Sequence, residues 1–540
     1  MALVTIDGRT FEVPDGENVI QAAERAGIHI PHYCYHPGLP IDGNCRMCLV
    51  EVEGARGPQI ACNTILTTRK DKEGNEIPAE VVRTDTAAVK EMRRGVMEFL
   101  LLNHPIDCPI CDQAGECGLQ DYYMQHGKYD HRSEVAKVEK RKAQPIGPHV
   151  ILDQERCILC SRCVRFTEHV SKSHELVIAG RGDKCRIETF PGEQLDNDYS
   201  GNVVDICPVG ALTSRDFRFK KRVWFLSATP SICIGCSRGC NVLVDQADRV
   251  VYRYRPRYNA AINEWWLCDR GRMTYGTINE NRLTVPRVAG SDTSFAIALA
   301  QVATALDGGS TGILVGPEAS LEDMFIARRL AEHLGAPIWG LSFRSPGKED
   351  DFLMKADLSP NRKGLELLGI SQQEEAFRKA LPELKTLVTV QVDLPDSRAG
   401  SGSEGSAPPV DESPSAAGIS AHFGGHIIVL ATHDSQQAEK AAIALPLAMH
   451  AERFGTYAQF EGRIQKVVPA FEPAGDALPA SQLLTLLGRQ LGANLPGDIE
   501  AIWAEMGREL GLAGMSFHGI PAEGVLARSG EAAVVPGAAR

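Results

Sequence analysis

Arg156-Cys-Ile-Leu-Cys-Ser-Arg-Cys-Val-Arg165, answered downstream by Cys207-Pro208, is the stretch that decides how this chain folds. Three thiolates two residues apart can cover one face of a four-iron cubane, and a remote cysteine closes the fourth corner. Proline after Cys207 fixes φ and removes an amide that would otherwise need a partner. A segment that wraps a cluster folds round metal as much as round aliphatic side chains, so 104–207 is expected to be rich in loops. The tight triplet occurs once only.

Working outward, three further ligand sets flank this one. Upstream lies Cys34-x10-Cys45-x2-Cys48-x13-Cys62, one thiolate apart, two close and one distant, the pattern of a [2Fe–2S] loop. Its first gap is longer than the plant-type four. Gly38, Gly43 and Gly54 give the loop freedom to curl. Zinc is the runner-up, because four cysteines also suit a tetrahedral site. Next comes His104-x3-Cys108-x2-Cys111-x5-Cys117. A neutral imidazole in place of one thiolate leaves a [4Fe–4S] cluster less negative and should raise its potential. The alternatives are a loop histidine bonded to backbone, or zinc on three cysteines and one histidine. Downstream, Cys233-x2-Cys236-x3-Cys240-x27-Cys268 again fits a [4Fe–4S] cubane, with zinc as the alternative.

Sixteen cysteines all lie between Cys34 and Cys268, and the four sets use every one except Cys185. Cys185 reads as a small buried apolar side chain. A disulfide framework suits small secreted domains, not a chain of 540 residues whose N-terminus lacks the basic and apolar segments of a secretory signal. Net charge of −12 and 6% aromatic residues argue against nucleic acid. No run of 18 apolar residues is present, so membrane association is expected only through partners.

Residues 3–13 alternate apolar and polar about Asp7-Gly8, a hairpin with a primed turn. Glu17 to Ala26 reads as a helix stopped by Gly27, and Thr86 to Asn103 as a second. Hairpin, helix and cysteine-bearing loop is the order of a β-grasp ferredoxin domain. From about Ser310 the texture changes: Gly312–Gly316, Leu384–Val392 and His426–Ala431 are buried-strand candidates, with helices at Leu321–Gly335 and Gln436–Ala442. That alternation predicts a parallel sheet. Asp396 to Gly418 reads as a linker, and the tail beyond about Ala522 as poorly ordered. No G-x-G-x-x-G fingerprint sits between a strand and a helix.

Taken in order, Asn44-Cys-Arg-Met-Cys48, Asn103-His-Pro-Ile-Asp-Cys-Pro-Ile-Cys111, Arg156–Arg165 and Cys207-Pro-Val-Gly-Ala211 resemble the large iron–sulfur subunit of respiratory complex I, the NADH:quinone oxidoreductase. The resemblance is dense over residues 1–275. It implies that Cys34, Cys45, Cys48 and Cys62 hold the binuclear cluster and that His104, Cys108, Cys111 and Cys117 hold a tetranuclear one. Cys157, Cys160, Cys163 and Cys207 would hold a second tetranuclear cluster on the main electron path. Cys233, Cys236, Cys240 and Cys268 look like the extra site that only some bacterial members keep. The remainder, with Ala451–Gln465, resembles the molybdopterin oxidoreductase fold, but only about 270 residues follow Cys268 and none is a cysteine. It is expected to be a shortened, non-catalytic scaffold without molybdenum.

The expected fold class is therefore α+β multidomain. It comprises a β-grasp [2Fe–2S] domain over 1–85, a histidine-ligated [4Fe–4S] domain over 86–125 and a ferredoxin-type [4Fe–4S] domain over 126–220. A molybdopterin-oxidoreductase-type [4Fe–4S] domain over 221–285 and a shortened α/β domain over 286–540, with its linker near 396–418, complete the chain. The resemblance implies a subunit of a proton-translocating enzyme that relays electrons and has no substrate site of its own. Its partners would be the flavin- and NADH-binding subunit and other peripheral-arm subunits, on the cytoplasmic side of the bacterial inner membrane. The rival readings are the front end of an NAD-linked formate dehydrogenase, an iron-only hydrogenase, which the cysteine-free second half disfavours, and a zinc scaffold.

Overall fold

The computed structural model describes residues 1–527 apart from Asn75, His131, Gly308 and 396–422. They form two compact units, Met1–Phe225 and one beginning at Leu226.

In the first unit, strands Ala2–Ile6 and Arg9–Val13 form the expected hairpin, with Asp7 (φ 48°) and Gly8 (φ 79°) both left-handed as a primed turn requires. Ala2–Ile6 pairs on its other side, in parallel, with Glu80–Arg83, and Leu49–Val52 and Gln59–Ile60 extend the sheet to five strands. The helix Val19–Arg25 is closed by a capping box in which Asn18 and Gln21 serve each other's backbone amides. Its buried face (Val19, Ile20, Ala23) packs with Val4, Ile6, Val50 and Val82, and Cys48 and Cys62 belong to the same core. Two of the candidate ligand cysteines are thus core residues of this sheet.

Helix Ala87–Asn103 begins on the Thr86 hydroxyl, which accepts from Val89 N–H at 3.2 Å. It ends because Pro105 disfavours helical backbone at the residue before it; His104 is extended (φ −66°, ψ 132°). Farther on, Leu152 in strand Val150–Leu152 pairs with Leu212 in strand Leu212–Ser214. That pairing brings the Cys157 loop beside the Cys207 loop. Helix Arg162–His169 starts inside the cysteine triplet.

The second unit opens with a three-stranded antiparallel sheet, Ser227–Ile232, Asn241–Ala247 and Val250–Pro256. A seven-stranded sheet follows. Thr311–Val315, Ile338–Gly340, Thr386–Val390, His426–Ala431 and Ile443–Pro446 run parallel, and Arg287–Val288 and Ser291–Asp292 add an antiparallel edge. Thr311–Val315 and Thr386–Val390, buried along their whole length, are mainly apolar, as strands covered on both faces are. Helices Leu321–Leu334, Ala480–Gln490 and Ile499–Glu509 supply Phe325, Leu330, Leu484 and Trp503 to the largest core. Gly335 (φ 62°) stops the first of these, as its sequence position predicts.

Buried carboxylates tie the Ala451–Gln465 segment to this core. Asp323 and Arg453, both essentially inaccessible, form an ion pair. Glu322 accepts from Thr456 N–H at 2.9 Å, the Thr456 hydroxyl at 2.7 Å and Trp503 Nε1 at 2.8 Å. One expectation is corrected here: Val525–Leu526, within the expected loose tail, pairs with Arg463–Ile464 as a third strand, and the part of that tail after residue 527 lies outside the described residues. The linker expected at 396–418 lies outside the described residues.

Candidate metal centres

Cys34, Cys45, Cys48 and Cys62 meet at one place. Their thiols hydrogen-bond among themselves, Cys34 with Cys45 and Cys62, and Cys48 with Cys62. Those bonds hold Cys34 and Cys48 below the ordinary thiol range and push Cys45 and Cys62 above it. Tyr33 N–H donates to Cys45 Sγ at 3.4 Å. Between the close cysteines Arg46 is left-handed (φ 59°), as is Gly43 (φ 70°) just before them. Alternating right- and left-handed residues turn successive N–H groups inward, and such concavities are recurrent iron–sulfur cradles.

In the second set, Cys108 lies near enough to push the Cys111 and Cys117 thiols up, after burial, and Cys111 does the same to Cys117. Burial pushes Cys117 to about 11. His104 stands at the helix end, and its Nδ1 is buried with no hydrogen-bond partner. Burial, followed by Lys137 and Arg156, lowers it to about 4, so the ring is neutral near pH 7. An orphaned lone pair or N–H on a buried neutral imidazole suits a ligand position. Its main electrostatic neighbours are Lys137, Arg156, Asp107 and Lys142, not the three cysteines.

Cys157, Cys160, Cys163 and Cys207 all influence one another, and burial pushes Cys157 to about 12 and Cys160 to about 11. Leu159 (φ 54°) and Ser161 (φ 60°) are left-handed between them, and Leu159 N–H donates to Cys157 Sγ at 3.4 Å. Backbone amides of Val209, Ala211 and Leu212 face Cys207. Left-handed backbone at non-glycine residues costs of order 1–3 kcal/mol each and persists where the surroundings enforce it.

The fourth set sits where the antiparallel sheet turns: Cys233 N–H donates to Cys240 C=O at 2.7 Å. All four of its cysteines are buried, and burial pushes Cys233 to about 12 and Cys268 to about 11. Cys268 caps helix Asp269–Met273, its sulfur accepting from Gly271 N–H at 3.3 Å. A Cβ on Gly271 would stand 2.9 Å from Cys233 Sγ and 3.1 Å from Cys268 Sγ. Glycine keeps the space between these two sulfurs clear.

The donor sets therefore fit clusters held by thiolates. Among the described residues no three His, Cys, Asp or Glu side chains converge as the ligands of a single ion do. A cubane spreads its ligands over separate irons and does not require that convergence. Cys185 stands apart, half-buried, its carbonyl accepting from Lys140 Nζ at 2.7 Å.

Several residues that position the first three sets were not singled out from sequence. Tyr33, fully buried, lies between the first and second sets, biased by both Cys45 and Cys117, and its hydroxyl donates to Met97 Sδ at 3.2 Å. Gly118 N–H donates to Pro208 C=O at 2.9 Å, joining the residues that follow Cys117 and Cys207. A Cβ on Gly210 would meet Cys111 Sγ at 2.2 Å, so only glycine fits this approach of the third loop to the second. Arg165, buried, donates to the carbonyls of Cys34, Pro40 and Cys160, and Arg162 to those of Tyr35 and Ile206. Asn44 Nδ2 adds a bond to Leu159 C=O at 3.2 Å. The available signal was the pair of arginines around Cys163, two cations set against a cluster of thiols.

The same stretches of the chain match known domain families. Residues 2–69 match a 2Fe-2S iron-sulfur cluster binding domain, and 93–132 match the NADH-ubiquinone oxidoreductase-G iron-sulfur binding region. Residues 147–213 match the ferredoxin-like domain of NADH-quinone oxidoreductase subunit 3, and 226–280 the molybdopterin oxidoreductase Fe4S4 domain. An NADH-quinone oxidoreductase subunit of Rickettsia felis is 39% identical over 343 residues, 62% of this chain and 50% of that one. Over that stretch the chain is similar to NADH-quinone oxidoreductase iron–sulfur subunits. A second relative is the mitochondrial NADH dehydrogenase [ubiquinone] iron-sulfur protein 1 of Solanum tuberosum, 44% identical over 295 residues, 54% of this chain and 38% of the relative. The chain thus spans about half or less of the length of the curated relatives it matches. A solved chain of an NAD+-reducing [NiFe]-hydrogenase is 30% identical, covering 41% of this chain and 91% of that one with a TM-score of 0.36. Along this chain the 2Fe-2S match is followed by the 4Fe-4S matches. Among the described residues no helix is long and apolar enough to cross a membrane.

Proposed function

We propose that this chain is an electron-relay subunit of an NADH:quinone oxidoreductase, carrying one [2Fe–2S] and three [4Fe–4S] clusters. The observation that carries this reading is the shared apolar cluster of the first unit. Tyr33, Cys34, Met47, Met97, Cys117, Leu119, Cys160 and Val209 pack together, with Cys45, Cys157 and Cys207 against them. Members of three ligand sets thus meet in one water-poor interior, and low dielectric around thiolate ligands is one of the means by which a protein sets cluster potentials.

In this reading Cys34, Cys45, Cys48 and Cys62 hold the binuclear cluster within a β-grasp domain. His104 with Cys108, Cys111 and Cys117, and Cys157, Cys160 and Cys163 with Cys207, hold two tetranuclear clusters. Cys233, Cys236, Cys240 and Cys268 hold the third at the entrance to a shortened molybdopterin-oxidoreductase-like domain. When bound, the clusters accept and release electrons one at a time. The residues do the rest: inward amides offer hydrogen bonds to sulfur, Tyr33 and Met97 exclude water, and Arg162 and Arg165 lock the first loop to the third. NADH oxidation and quinone reduction fall to partner subunits, a flavin-bearing one on the input side. The complex would hold this chain at the cytoplasmic face of the inner membrane.

The test is an anaerobic redox titration followed by electron paramagnetic resonance. One binuclear and several tetranuclear signals are expected, and His104→Cys should lower the potential of one tetranuclear signal alone. A titration with no tetranuclear signal would overturn the relay; an unmoved potential in the variant would remove His104 as a ligand.

A further inference from the structure

Arg156 belongs by sequence to the third ligand segment, immediately before Cys157, but its side chain turns toward the second set. The guanidinium is 5% exposed and donates to Asp107 Oδ2, through Nε at 3.2 Å and Nη2 at 3.0 Å. Asp107 stands on the short loop between His104 and Cys108. Asp153, equally buried, lies 3.5 Å from the same Nε. It also accepts from the backbone amides of Glu155 at 3.1 Å and Arg156 at 3.3 Å, which fixes the entry to the third segment. A Cβ on Gly210 would stand 2.2 Å from Cys111 Sγ and 3.8 Å from Arg156 Cδ. The sulfur and the arginine stem therefore flank one small gap.

A guanidinium keeps its proton throughout the working pH range, so Arg156 is a fixed charge. In a water-poor interior its field is far less screened than in solvent. After burial and the Gln113 amide, Arg156 is the strongest influence on the Cys111 thiol, and it acts on His104 after burial and Lys137. The leading cations at Cys157 and Cys160 are instead Lys140, Arg162 and Arg165. One residue of the third segment thus spends its charge on the second set.

Asp107 brings the opposite sign to the same place. Lys142 Nζ meets it at 2.5 Å and is shared with Glu155 at 2.8 Å. Arg222, donating to Cys111 C=O at 2.6 Å, is a further cation at this set. Reduction adds negative charge to a cluster, so a fixed cation beside it favours the reduced form and a carboxylate opposes it.

Given the relay reading, we propose that Arg156 sets the potential of the second cluster relative to the third, its charge favouring reduction of the second and the Asp107 carboxylate opposing it. Were Arg156 only a tie between loops, cutting the tie from either end would move the potential the same way. A charge effect moves it in opposite directions.

Redox titration of the anaerobically prepared full chain, followed by electron paramagnetic resonance, separates the two. Arg156→Met should lower one tetranuclear potential enough to change the sharing of an electron with the other clusters about tenfold, which is about 59 mV for a one-electron couple. Arg156→Lys keeps the charge and should change that sharing by no more than about threefold. Asp107→Asn should raise the same potential, by about threefold in sharing, because Lys142 already offsets part of its charge. If Arg156→Met loses its cluster, Asp107→Asn decides alone: a raised potential supports the proposal, and an unmoved or lowered one overturns it. Shifts of the same sign in Arg156→Met and Asp107→Asn, or an unmoved potential in a cluster-bearing Arg156→Met, would overturn it and leave the relay standing. A parent chain without tetranuclear signals would overturn both.

Discussion

The cysteine-bearing unit and the parallel-sheet region solve the problem of a stable interior in opposite ways. In the first, the shared interior of three ligand sets is built largely from thiols, Tyr33 and two methionines, and its loops are joined by arginines donating to distant carbonyls. In the second, a broad aliphatic and aromatic core holds the sheet, and buried charges such as Asp323 and Arg453 are paired inside one unit of structure. Thiols bury little apolar area, and backbone curled into left-handed positions is costly. The difference predicts that the first region depends on its proposed clusters for stability and that the second does not.

The strongest way to break that comparison is to remove the clusters. Chelation under anaerobic, reducing conditions should abolish amide protection in segments 30–62 and 157–212 while leaving Thr311–Val315, Thr386–Val390 and His426–Ala431 protected, as read by hydrogen exchange. Equal loss in both would show that the sheet region also leans on metal. Next in size, Arg453→Met leaves the Asp323 carboxylate buried without its partner. It should destabilise the sheet region by about 3–5 kcal/mol in denaturant unfolding followed by Trp503 fluorescence, with cluster spectra unchanged.

Arg165→Met deprives the carbonyls of Cys34, Pro40 and Cys160 of a buried charged donor. A cost of about 2–3 kcal/mol is expected, with altered line shapes for the binuclear cluster and the third set and none for the fourth. The smallest effect should come from Ser320→Ala. That removes the cap of helix Leu321–Leu334 and should cost about 1 kcal/mol in the sheet region alone.

How much of this was legible in the sequence differs between the same two regions. The hairpin about Asp7-Gly8, the helix ended by His104-Pro105, and the strand, helix and glycine stop from Thr311 to Gly335 are written in local turn and capping chemistry, and the structure matches them within a few residues. The candidate ligand sets could be proposed from sequence because coordination demands particular spacings. What joins the sets could not. Arg165 reaches carbonyls 125 and 131 residues away, and carbonyls carry no side-chain signature. Gly210 reads as an ordinary turn residue until Cys111 Sγ is found against it. The strand at Val525–Leu526 was missed because two residues are too few to show a period.

The measurement that bears most directly on the relay is the metal content of the anaerobically prepared chain, with iron, zinc, molybdenum and tungsten determined together. One binuclear and three tetranuclear sites correspond to about 14 irons per chain, with no molybdenum or tungsten. Zinc in place of iron, or stoichiometric molybdenum or tungsten, would contradict it.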